Sequence, residues 1–181
     1  MLGDLGADVI KIEATWARGA GDVTPEQARQ SHLFPDGDPG EDAYNRQASF
    51  NKLNRNRRGL TLELGTAAGK RVFEDLVRLA DVVIENFSPR VMDKLGLGWD
   101  RLHEINPSVV YVSMPGFGST GPYSDWLAFG PLIEAASGLA NEIGYPDSGP
   151  YRSGLAWPDP VAGVHAGAAS LIALGERNAD P

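Results

Sequence analysis

Apolar positions along this chain fall in short runs whose spacing changes from one run to the next. Residues 9–12 form a brief apolar strand pattern, and 60–64 alternate with period two. Over 66–79 the repeat lengthens to three and four. This brings Val72, Phe73, Leu76, Val77 and Leu79 to one side of a predicted helix, with Thr66 as its N-cap. A buried strand at 82–84 runs into Glu85, Asn86 and Phe87. Short helices are expected over 88–95, stopped by Gly96, and over 99–106, ended by Pro107. A strand over 109–114 follows, then helices over 132–139 and 160–174. The last of these is rich in Ala and Gly, a composition suited to close packing against a neighbour. Residues 14–51, between the first two strand patterns, are polar and rich in Gly, Pro and Asp, and read as one long loop.

Strand–helix–strand order predicts an α/β fold with a mainly parallel sheet. Ligands of such sheets bind beyond the carboxyl ends of the strands. The segments following residues 12, 84 and 114 are therefore the places to search. No internal repeat interrupts this order.

Composition narrows the chemistry. The chain has 181 residues, 42% of them hydrophobic, the size and core content of one ordinary domain. Its net charge of −8 disfavours general nucleic-acid binding, which needs a basic excess. With no cysteine there are no disulfides, zinc–cysteine sites or thiolate nucleophiles. No apolar run is long enough to span a bilayer, and the acidic opening is unlike a secretory signal, so a cytoplasmic protein is expected. His32, His103 and His165 lack ligand spacing, so no metal site is expected. The acids at 36, 38, 41 and 42 lack the spacing of a calcium loop. Both ends read as interrupted elements: LGDLGADVIKIE opens in the tail of a helix, and ERNADP follows directly on one. The 181 residues alone are therefore expected to be poorly packed and inactive, with a first strand and a C-terminal part lying outside them.

Three segments invite a functional reading. Gly116, Gly118 and Gly121 fit the GxGxxG dinucleotide pattern, but its mechanism needs a helix to start there. The following Pro-Tyr-Ser-Asp reads instead as a turn. A glycine-rich loop approaching a ligand or neighbouring backbone is preferred, with a nicotinamide-dependent oxidoreductase as the alternative. The basic run NKLNRNRR at 51–58 is either a solvated strand entry or an attractor for an anionic ligand. Asp159, in WPDPVAG, reads from local physics as the N-cap of the small-residue helix, with Pro160 as its first residue. The same place favours an ionised carboxylate, the state a nucleophile requires.

Taken in order, LGADVIKIE (5–13), NRNRRGLTLEL (54–64), DVVIENF (81–87) and LGLGWDRLHEINPSVVYVSMPGFGSTGPY (95–123) resemble the class III CoA-transferases, the CaiB/BaiF family of transferases and α-methylacyl-CoA racemases. The resemblance covers nearly the whole chain. It implies a Rossmann-like large domain, here residues 1–181 as part of it, in an interlocked homodimer. It makes Asp159 the match to the family's nucleophile. By the same resemblance, Arg18, Leu62, Asn86, Phe87, Ser88 and Lys94 match positions that contact coenzyme A. CoA is then a substrate, with no permanently bound cofactor, and a carboxylic acid is the acceptor. Gly65 and Leu127 stand where formyl-CoA transferase has lysines, which leaves Arg57 or Arg58 as substitutes at the phosphates. Phe129 stands three residues after Trp126, where the racemases place a histidine. A phenyl ring cannot exchange a proton, so transfer is favoured over racemisation. A CoA-binding module without catalysis is the remaining alternative.

Overall fold

A computed structural model describes residues 1–14, 25–31, 33–41 and 43–179. They belong to two compact units, Met1–Gly69 and Lys70–Pro181. Arg18 and His32 lie outside the described residues.

The first unit is built on two parallel strands, β1 (Val9–Glu13) and β2 (Arg57–Thr61), in register from Val9 opposite Arg57 to Glu13 opposite Thr61. Leu62 N–H extends the ladder to Glu13 O at 2.9 Å. The second strand starts three residues earlier than its period-two pattern suggests, because ladder hydrogen bonds to β1 set its length. Residues 14–51 are not one loop. They contain three short helices, α1 (Pro25–Ser31), α2 (Ala43–Arg46) and α3 (Ala48–Leu53). Their apolar positions are too few to show a 3.6-residue repeat, yet Ala28 and Phe34 are buried. Half of the basic run is engaged: Arg55 pairs with Asp4 and Arg58 with Asp8. Such exposed pairs are worth about 0–1 kcal/mol. Arg57 makes no ion pair among the described residues.

Helix α4 (Ala67–Val77) begins where Gly69 N–H donates to Thr66 Oγ1 at 3.0 Å, the cap expected from sequence. It leads into the second unit. There β3 (Val82–Glu85) and β4 (Val110–Ser113) pair in parallel, Val82 opposite Val110 and Glu85 opposite Ser113. Between them lie α5 (Val91–Lys94) and α6 (Trp99–Ile105). Gly96 ends α5 in the left-handed region at φ 71°, which spares a Cβ the strain of that conformation. There Gly96 and Leu97 N–H donate to Asp93 O and Met92 O, each at 2.8 Å. The side chain of Asn106 closes α4, donating to Val77 O at 3.0 Å and Ala80 O at 2.9 Å.

The core of this unit is Phe73, Val77, Met92, Leu97, Leu102, Val109 and Ala166. Of the five apolar residues expected on one face of α4, Phe73 and Val77 are buried. Leu79 is 86% exposed and Val72 is exposed too. The helix stops at Val77, so Leu79 leaves the face that the period assigned to it. After β4 come α7 (Gly130–Ala136), α8 (Leu139–Glu142) and the long α9 (Pro158–Ala179), with α9 packed on β4 and α7. Arg177 of α9 ties back to Asp81 at 2.9 Å and to Ser108 O at 3.2 Å.

Candidate active site

Because β3 and β4 are parallel, the loops at their carboxyl ends emerge on the same side of the ladder. The β3 loop carries Asn86, Phe87 and Ser88, all exposed, and Lys94 lies exposed at the end of the following α5. Its shape is set by Glu85, which sequence reasoning did not single out. One carboxylate oxygen of Glu85 accepts Phe87 N–H at 2.6 Å, and the other accepts the Tyr111 hydroxyl of β4 at 3.0 Å. The loop is thereby fixed to the neighbouring strand. Arg90, in left-handed backbone at φ 67°, pairs with Asp125 of the β4 loop and joins the two loops. Leu62, half-buried, follows β2 in the first unit.

Burial first, and then the charge of Glu85, push the Tyr111 hydroxyl up to about 12. A group whose folded value is raised supplies stability that is whole below its ordinary value near 10.0 and is lost as pH rises through about 12. Unfolding free energy should therefore fall between those values in the parent protein. It should fall less in Tyr111→Phe, and ultraviolet titration should lose its highest tyrosinate transition in that variant. If the transition lost in Tyr111→Phe lies instead near the ordinary value of 10.0, Tyr111 does not hold Glu85.

The β4 loop contains Gly116, Gly118 and Gly121. No helix begins until Gly130, so the dinucleotide geometry is absent from this segment. Gly118 and Gly121 take positive φ in turns. At Gly116 an added Cβ would lie 2.1 Å from the Ala128 Cβ, so the glycine admits the returning chain. Tyr123 and Phe117 pack on Trp126, with ring centroids 4.4 and 5.9 Å away. Phe129 sits at the N-cap of α7.

Asp159 lies in the first turn of α9. The helix begins at Pro158, one position ahead of Asp159, so Asp159 is inside the helix and not its N-cap. The cause is Pro158 itself: its φ is preset for a helix and its missing N–H is no loss in the first turn. Asp159 N–H donates to Ala156 O at 3.0 Å. The carboxylate is exposed and makes no ion pair among the described residues. It lies against Gly130 at the start of α7, where a Cβ would stand 2.7 Å from Asp159 Oδ2 and 2.8 Å from Ala156 Cβ. Glu134, one turn further along α7, is buried and bonded to Ser153, which leads into the same turn. The only sequence signal for Glu134 is a single acid in an apolar helical run.

The arrangement therefore presents a carboxylate to solvent in the first turn of a helix of 22 residues. Among the described residues no group of acids and histidines could hold a metal ion. None of their helices is long and apolar enough to cross a membrane.

The family model described as CoA-transferase family III matches residues 1–180. The chain is 39% identical to the formyl-CoA:oxalate CoA-transferase of Streptomyces avermitilis over 177 residues, covering 98% of this chain and 39% of that protein. It is 36% identical to the succinyl-CoA–D-citramalate CoA-transferase of Chloroflexus aurantiacus, with 98% and 40% covered. The chain thus spans about two fifths of the length of these curated relatives. A CaiB/BaiF family protein from Brucella suis superimposes with a TM-score of 0.80 at 34% identity, over 98% of this chain and 44% of that one.

Proposed function

We propose, for a chain that belongs to CoA-transferase family III, that it supplies the nucleophile and part of the CoA site of an enzyme moving CoA from an acyl-CoA to a carboxylic acid. The observation that carries this reading is Asp159, exposed in the first turn of α9 and lying against Gly130. Its carboxylate attacks the thioester carbonyl, expelling CoA thiolate and forming a mixed anhydride. The thiolate then attacks the aspartyl carbonyl, releases the first acid and leaves an enzyme–CoA thioester. An incoming carboxylate attacks that thioester, expelling the thiolate and forming a second anhydride. Attack of the thiolate on the new acyl group yields the product thioester and restores Asp159. Each step exchanges one activated acyl group for another, and backbone N–H groups nearby stabilise the oxyanions.

Asn86, Phe87, Ser88 and Lys94 contact the CoA, with Leu62 at the adenine and Arg18 at the phosphates. Phe129, an aromatic ring at the helix cap, offers no proton-exchanging group, which supports transfer over racemisation. The working protein is a cytoplasmic homodimer with no permanently bound cofactor.

Equilibrium titration of the complete protein separates the classes. CoA should bind, and Lys94→Ala should weaken it roughly tenfold, the equivalent of about 1.4 kcal/mol. NAD should not bind. NAD binding lost on substitution of Gly118 would favour an oxidoreductase. CoA binding without turnover across a broad acyl-CoA panel would favour a non-catalytic module.

A further inference from the structure

Glu134 is the largest acidic side chain in the core of its unit, 1% exposed on α7. Burying a carboxyl group is costly unless its oxygens are hydrogen-bonded, and a leucine would fill a helix packing position at no such cost. Both oxygens serve one residue: Ser153 N–H donates to Oε1 at 2.7 Å and the Ser153 hydroxyl to Oε2 at 2.8 Å. From Ser153 the bonds run on toward Asp159. Leu155 O lies 2.6 Å from the same hydroxyl and accepts Trp157 N–H at 2.9 Å. Ala156 O accepts Asp159 N–H at 3.0 Å. Four residues before Glu134, on the same face of α7, Gly130 abuts the Asp159 carboxylate. One helix face therefore meets the Asp159 side chain at one turn and holds the segment leading to it at the next.

We propose that Glu134, acting through Ser153, is a positioning residue for Asp159, setting the turn that aims its carboxylate at the thioester; this rests on the reading of Asp159 as the nucleophile. Glu134 does not touch substrate, since it is buried and both oxygens are occupied. The hydroxyl of Ser153 has one hydrogen for two acceptors, Glu134 Oε2 and Leu155 O. An amide at 134 satisfies every partner: its oxygen accepts Ser153 N–H, and its nitrogen donates to Ser153 Oγ, which frees the hydroxyl hydrogen for Leu155 O. Glutamine thus preserves the device, whereas alanine abolishes it.

Two measurements on the complete protein test this. Hydrogen exchange reports the turn whatever Asp159 does. In Glu134→Ala the amides of Asp159 and Val161 should exchange roughly tenfold faster, and in Glu134→Gln at the parent rate. Steady-state transfer from succinyl-CoA reports the consequence: Glu134→Ala should lose about 10- to 100-fold in kcat with KM for the thioester unchanged, and Glu134→Gln should restore it. Should Glu134→Ala not fold, Ser153→Ala removes the hydroxyl link and should shift both readouts in the same direction. Parent-like exchange in the alanine variants, or a glutamine variant as impaired as alanine, overturns the proposal. Faster exchange together with an active Asp159→Asn overturns the nucleophile reading, and with it the catalytic half of this proposal.

Discussion

Replacing Asp159 by asparagine in the complete protein should lower CoA transfer by at least about a thousandfold, because the amide oxygen cannot take the place of an ionised carboxylate in covalent catalysis. The fold should survive. The side chain is exposed, the two residues are nearly the same shape, and loss of a charge in the first turn of a helix costs only about 0.3–1 kcal/mol. Trapping supplies the direct readout. After addition of an acyl-CoA, hydroxylamine should convert Asp159 of the parent protein to a hydroxamate, borohydride should reduce its thioester, and neither should label the asparagine variant. Full activity in Asp159→Asn, or a label on another residue, would refute the assignment.

The largest effect on stability is expected at Leu102. It is the one buried residue of α6, at 0% exposure, in a core that joins α4, α5, α9 and Val109 at the entry to β4. Leu102→Ala removes most of a packed side chain and leaves a cavity that neighbours fill only in part. That should cost about 2–5 kcal/mol, a large share of the roughly 5–15 kcal/mol typical of a whole domain. Urea unfolding should show a lower midpoint with an unchanged slope. The aromatic residues on the same helix give a contrast. Trp99 is half exposed although it stacks on His103 and Tyr111 at 4.9 and 6.3 Å, so Trp99→Leu should cost less than Leu102→Ala. The reverse ranking would mean that the core is centred elsewhere.

Much of this architecture was legible in the order of residues. Thr66 caps its helix and Gly96 stops the next, because both act through bonds to residues within a few positions. The parallel pairing of β3 with β4 follows from the apolar runs around an intervening helical segment, as the strand–helix–strand rule requires. The place of Asp159 before a small-residue helix is likewise local, and long family motifs attached a role to it. Yet Pro158, equally visible, moved the helix start by enough to change Asp159 from a cap to a first-turn residue.

Other features could be decided only by the folded chain. The helices within 14–51 form although their periodicity is too short to detect; in α1 the burial of Ala28 adds to weak local preference. Leu79 had the spacing of a core residue but not its burial. The bonds that shape the site are the clearest case. Tyr111 meets Glu85 across 26 residues and Glu134 meets Ser153 across 19. A hydrophobic repeat reports which face of one element is apolar, but a hydrogen bond between elements depends on where both lie once packed. The sequence by itself therefore determined the strands and the longer helices and singled out Asp159 as the candidate carboxylate, and tertiary packing decided which groups lie around it, because contacts between elements exist only once both are placed.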